Sequence, residues 1–141
     1  MHRTGQFFFD KHFEEWGIGS GHFSFLLCLY RQEGISQDVI SKRLHVDKAT
    51  TARAIAKLET LGYIIREEDP TDRRAYLIKL TPQGKQLEPK IKDVLKAWAG
   101  LITEDLSPEE QDLAYQLLSN MAEKALAVKK LCYGPKADNN A

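Results

Sequence analysis

Cysteine is scarce in this chain: 141 residues contain two, Cys28 and Cys132. They stand far apart in no metal-binding or redox spacing, so a reducing cytoplasm is the expected setting, and an apolar content of 43% allows a core without staples. Long apolar runs are missing too. The longest, FSFLLCLY, is far too short to span a bilayer, and no charged-then-apolar leader opens the chain, so no membrane association is expected. Catalytic signatures are also lacking: no nucleophile elbow, no paired-histidine helix and no Cys-His pattern with supporting context. GIGSG at 17–21 resembles half of a phosphate loop, but no strand precedes it and no Gly-Lys-Ser/Thr follows. His12 and His22, with Glu15 nearby, have no diagnostic metal spacing, and Cys28 sits among apolar residues where a thiol is inert. Neither an enzyme nor a bound metal or cofactor is expected.

Net charge is absent as well, since 20 Lys and Arg balance 20 Asp and Glu. The balance hides an asymmetry. Residues 36–85 carry ten basic against seven acidic side chains, whereas 86–128 carry four against eight. The middle third is basic and the region after it acidic.

What is present is a succession of helix signals around one hairpin. TGQFFFDKHFEEW reads as a short aromatic-faced helix broken by GIGSG, and residues 20–33 resume as a buried helix with Phe23, Leu26, Leu27 and Tyr30 at helical spacing. Ser36 caps a short helix with Val39, Ile40 and Leu44 inward. Asp47 caps the next, which Gly62 ends. YIIREE and AYLIKL flank DPTDRR and predict a hairpin. Thr81-Pro82 opens a long helix to about Asp105, with Pro89 inside it. Ser107, Pro108 and Glu110 form a capping box before a last helix to about Leu131. The fold class is mainly α with a small β-hairpin: a winged helix-turn-helix flanked by terminal helices.

The helix at 47–61 buries Thr51, Ile55 and Leu58 and turns Ala49, Thr50, Arg53 and Lys57 outward. Arg53 and Lys57 are like charges one turn apart, a repulsion that an anion would relieve. Ala49, Ala52, Ala54 and Ala56 keep the helix slim. Small residues for close approach, Thr and Arg for base edges and Lys for phosphates are what a helix in the major groove of double-stranded DNA needs. In the hairpin, Arg73 and Arg74 sit at or near the tip, where Asp72 is placed to hold the Arg74 guanidinium two residues on. An oriented guanidinium on a thin ribbon suits a narrow minor groove.

SQDVISKRLHVDKATTARAIAKLETLGYI followed by DPTDRRAYLIKLTPQGKQL resembles the MarR family of winged-helix transcriptional regulators. The second stretch follows the family's wing pattern: Asp, one residue, Arg, a strand, Leu-Thr, then a glycine opening the next helix. The likeness extends from about Phe7 to Ala127. It implies a homodimer with intertwined terminal helices that binds palindromic DNA and is released by a small ligand or by oxidation. By resemblance, Arg74 is the minor-groove arginine and Asp72 its orienting partner, Thr50 and Arg53 read bases, and Lys48 and Lys57 hold phosphates. Ala52 stands where many members have Thr, and the first helix is shorter than relatives usually carry.

The expected organisation is a DNA-binding lobe over 20–81, a helical dimerisation region over 1–16 and 82–132, and a flexible tail over 133–141. Phe7, Phe8, Phe9 and Phe13 load a first helix too short to fold alone, and the two C-terminal helices carry more apolar residues than one small winged helix can cover. The resemblance further implies a pocket for a small aromatic or hydrophobic effector near the first break, for which Phe8, His12, Trp16, His22, Phe25 and Arg31 are candidates. The rival expectations are a winged helix that serves as a protein-interaction module without DNA, and a metal- or thiol-based sensor enzyme.

Overall fold

The computed structural model describes residues 2–133, with side chains as far as Lys129. The tail expected after 133 and the side chains of Leu131 and Cys132 lie outside the described residues.

Two compact units meet in sequence at Ala99 and Gly100. The first holds α1 (His2–Phe13), a 3-10 turn (Glu14–Trp16), α2 (Phe23–Arg31), α3 (Gln37–Leu44), α4 (Lys48–Thr60), β1 (Ile64–Asp69), β2 (Asp72–Leu80) and most of α5 (Pro82–Ile102). The second holds the end of α5 and α6 (Pro108–Tyr133).

Local signals set the helix ends. Ser36 Oγ accepts from Val39 N, and Asp47 Oδ1 accepts from Thr50 N at 2.8 Å. Ser107 and Glu110 exchange both capping-box bonds. At the end of α4, Gly62 takes a left-handed φ of 79°, Gly62 N donates to Glu59 O and Tyr63 N to Leu58 O, a Schellman closure. The end of α3 closes the same way on a non-glycine: His45 has φ 54°, with His45 N donating to Lys42 O and Val46 N to Ser41 O. That left-handed residue makes the turn of the helix-turn-helix.

The core runs through the first unit. Phe13, Phe25, Leu26, Leu29, Ile40, Ile55, Leu58, Ile64, Ile78 and Ile91 are all nearly or wholly inaccessible. The most deeply buried residues of α2 are Phe25, Leu26, Cys28 and Leu29; of the expected stripe Leu26 is among them, while Phe23, Leu27 and Tyr30 pack against the core half-buried. This helix is apolar nearly all round, so periodicity alone does not select its buried face. Ala54 is likewise buried, and does not belong to the slim outer face of α4.

β1 and β2 pair antiparallel from Ile64↔Leu80 to Glu68↔Tyr76. A short third element escaped the sequence reading: Gly34 N donates to Ile78 O and Ile78 N to Ile35 O, each at 2.8 Å, so Ile35 bridges the far edge of β2. The strand end is then fastened to α5. Thr81 Oγ1 donates to Gly62 O and accepts from Gly84 N, and Tyr30 Oη donates to Gly84 O at 2.8 Å. A Cβ at Gly84 would stand 2.1 Å from Tyr63 O, so only glycine permits this approach. No helix among the described residues is long and apolar enough to cross a membrane.

Candidate nucleic-acid interface

α4 stands on α3 through a buried polar contact. Ser41 Oγ donates to Thr51 Oγ1, whose own hydroxyl donates to Asp47 O at 3.0 Å. With Thr51, Ala54, Ile55 and Leu58 inward, helical geometry turns Ala49, Arg53, Ala56 and Lys57 to solvent, and all four are exposed.

On that outer face the side chains are already ordered. Asp47 Oδ2 accepts from Thr50 Oγ1 at 2.7 Å, and Arg53 Nη2 donates to the same Thr50 oxygen at 3.2 Å. The two Thr50 bonds, backbone and hydroxyl, hold the Asp47 carboxyl below its usual range. A carboxylate, a hydroxyl and a guanidinium thus form one line along the first turns of α4. It aims Arg53 while occupying the Thr50 hydroxyl, so Thr50 here positions Arg53. Lys48 Nζ is 3.4 Å from Asp38 Oδ1, a solvent-exposed ion pair of little energetic weight that a phosphate can displace. Lys57 forms no salt bridge among the described residues.

The wing corrects the sequence expectation in two ways. Its turn is Pro70-Thr71, so Asp72, Arg73 and Arg74 belong to β2. Glu68 pairs with Tyr76 but Asp69 pairs with Asp72, which leaves Arg73, Arg74 and Ala75 as an unpaired bulge on β2. Both arginines are exposed there. Secondly, Asp72 Oδ1 accepts from the backbone Arg74 N at 3.0 Å; it shapes the bulge and does not grip the guanidinium. Asp69 does the same for the turn, accepting from Thr71 N and Thr71 Oγ1, which lowers its carboxyl below the usual range. Of the acids that precede the arginines, Asp69 and Asp72 are thus spent on backbone geometry and Glu67 on Lys79, which its Oε2 meets at 2.6 Å. Neither Arg73 nor Arg74 makes a salt bridge among the described residues.

The candidate effector residues do not converge. Phe25 is core, 2% exposed. His12 is exposed, stacked on Phe8, with its Nδ1–H donating to Phe8 O. Trp16 gives its carbonyl to Tyr63 Oη, and its ring lies 5.9 Å from Lys90 Nζ. His22 Nδ1 accepts from Gly19 N, and burial, reinforced by Lys57, keeps its ring below the usual histidine range against the opposing pull of Asp10. Arg31 lies at the far end of α2. An aromatic cavity of about 380 Å³ is lined instead by Phe9, Phe23, Trp98 and Gly5 together with His2 and Ser20. Phe23 is expected on the buried stripe of its helix, and the apolar residues of α5 are expected to serve dimerisation, so the cavity, which depends on the pairing of α1 with α5, is not among the expectations.

A family model described as MarR family matches residues 18–76. A MarR transcriptional regulator from Methanosarcina mazei has a solved structure that superposes with a TM-score of 0.85 at 41% identity, covering 90% of this chain and 91% of that one. Among curated proteins, the HTH-type transcriptional regulator BilQ of Clostridioides difficile is 26% identical over 110 residues, 78% of this chain and 74% of the relative. The uncharacterized HTH-type transcriptional regulator YkoM of Bacillus subtilis is 31% identical over 105 residues, 74% of this chain and 68% of the relative.

Proposed function

The chain belongs to the MarR family of DNA-binding transcriptional regulators, and from that premise we propose that it is a repressor acting as a homodimer on a pseudo-palindromic operator. In this reading each subunit lays α4 in the major groove and the bulged wing in the adjacent minor groove, with half-sites about one helical turn apart. The observation that carries it is the outer face of α4, where Asp47 and Thr50 hold Arg53 ready beside Lys57, which forms no salt bridge among the described residues. Residues 20–81 form the DNA-binding lobe, and 1–16 with 82–132 the dimerisation region. The exposed Leu113, Leu117, Met121 and Val128 of α6 supply an apolar seam for a second copy. The Phe9–Phe23–Trp98 cavity supports a small aromatic effector.

Fluorescence anisotropy of the protein against the duplex upstream of its own coding sequence, and against a scrambled duplex, tests the reading at several salt concentrations. Selective binding that weakens steeply with salt is expected. Binding that barely responds to salt favours a protein-interaction module instead. Sedimentation of Leu117→Glu, expected to shift toward monomer, tests the dimer.

A further inference from the structure

The far edge of β2 has a side-chain partner as well as a backbone one. Backbone groups of a strand point alternately to its two edges. Ile78 turns its N–H and carbonyl away from β1, where Ile35 O and Gly34 N take them. Two residues on, Leu80 N faces the same way and donates to Glu33 Oε2 at 2.9 Å. The stretch from Glu33 to Ile35 thus extends the ladder by one rung, with a carboxylate oxygen in the place of a backbone carbonyl.

The other carboxylate oxygen reaches α5, Glu33 Oε1 lying 3.1 Å from Lys85 Nζ. The Leu80 N–H, and after it Lys85, hold the Glu33 carboxyl below its usual range. An ionised acceptor on a backbone N–H makes a stronger bond than a neutral one. Tyr30, in the last turn of α2, donates to Gly84 O in the first turn of α5. The end of α2 therefore holds both the last residue of the wing and the start of the helix after it.

The wing is a lever on that root. Leu80 ends β2 six residues after Arg74. At about 3.3 Å per residue the arginine stands roughly 20 Å from the root, so a tilt of about 10° there carries it about 3.5 Å, against a minor groove about 6 Å wide. Asp72 shapes the bulge. The bond at Leu80 N bears on where the bulge points.

We propose that Glu33 is a positioning residue for DNA recognition: by holding Leu80 N at the root of the wing it sets the angle at which Arg73 and Arg74 enter the minor groove. This inference rests on the reading of the wing as the minor-groove element.

Fluorescence anisotropy of the full chain on a duplex selected from a random pool tests it, as a cycle over Glu33→Ala, Arg74→Ala and the double variant. Arg74→Ala alone should weaken binding by roughly tenfold. In the Glu33→Ala background the same change should cost less than about threefold, because a misdirected arginine has little left to lose. Glu33→Gln, which keeps an oxygen for Leu80 N, should restore most of the affinity and of the Arg74 effect. In footprints, Glu33→Ala should lose minor-groove protection from hydroxyl radicals while keeping major-groove protection from methylation, a split that a general loss of fold does not give. Thermal melting confirms that each variant folds, and Glu33→Met, which keeps the length but not the acceptor, gives the same cycle should the alanine variant melt below the assay temperature. If Arg74→Ala costs the same with and without Glu33, the proposal falls and the wing reading stands. If Arg74→Ala is neutral in the otherwise unaltered protein, the wing reading falls and takes the proposal with it.

Discussion

The Ser41 hydroxyl lies 2.8 Å from Thr51 Oγ1, with both side chains buried, and forms a buried polar tie between the two helices of the helix-turn-helix. Ser41→Ala leaves Thr51 its bond to Asp47 O and should cost about 1 kcal/mol. Thr51→Val strands the Ser41 hydroxyl in the core and should cost about 2 kcal/mol. The double variant should lose clearly less than the sum in urea denaturation. Strict additivity would show that the hydroxyls act independently.

Gly84→Ala tests the seat of α5. The new methyl meets backbone, the Tyr63 carbonyl, rather than a side chain that can swing away. A loss of about 3 kcal/mol or more is expected by denaturation, with the hairpin and α5 displaced together. Gly100→Ala is the control: nothing lies within contact distance there, and a helix interior favours alanine.

In the wing, Arg74→Ala should weaken operator binding by about 1–3 kcal/mol in the anisotropy assay. Asp72→Asn, which retains an oxygen for Arg74 N, should bind nearly as wild type, because the acid's task is to shape the backbone. If Asp72→Asn were as damaging as Arg74→Ala, the carboxylate charge itself would be at work.

The Asp47 cap carries a pH signature. Its folded carboxyl titrates below the unfolded value, so its stabilisation is fully present above the ordinary aspartate range and is lost as pH falls through the lowered folded value. Asp47→Ala should therefore melt lower than wild type at pH 7, and the gap should narrow in acid. A gap independent of pH would mean that the carboxylate is not the stabilising species. The same variant frees Thr50 and lets Arg53 wander, so DNA affinity should fall as well.

Much of this was legible because the signals are local. Asp47, Thr81, Ser107 and Gly62 announce helix ends within three or four residues, and the outward set on α4 follows from its period. Ala54 was misplaced by reading composition rather than angle. The wing arginines were found but set on the turn, because a bulge is a property of register between two strands and no single strand encodes it. Ile35 as a sheet edge and the cavity walled by Phe9, Phe23 and Trp98 depend on pairings across the chain. No spacing rule reaches those.

The bridge from Ile35 to Ile78 encloses α3, α4 and β1 in a single closed loop. Closing such a loop costs chain entropy before the pairing returns any stability, so the root of the wing cannot assemble ahead of the helices inside it. Ile78, wholly buried and with both its N–H and its carbonyl bonded to the Gly34–Ile35 edge, should exchange its amide hydrogen only when the unit unfolds as a whole. The bulge holding Arg73 and Arg74 lies within the same loop but outside the ladder, so its amides should exchange sooner than that of Ile78.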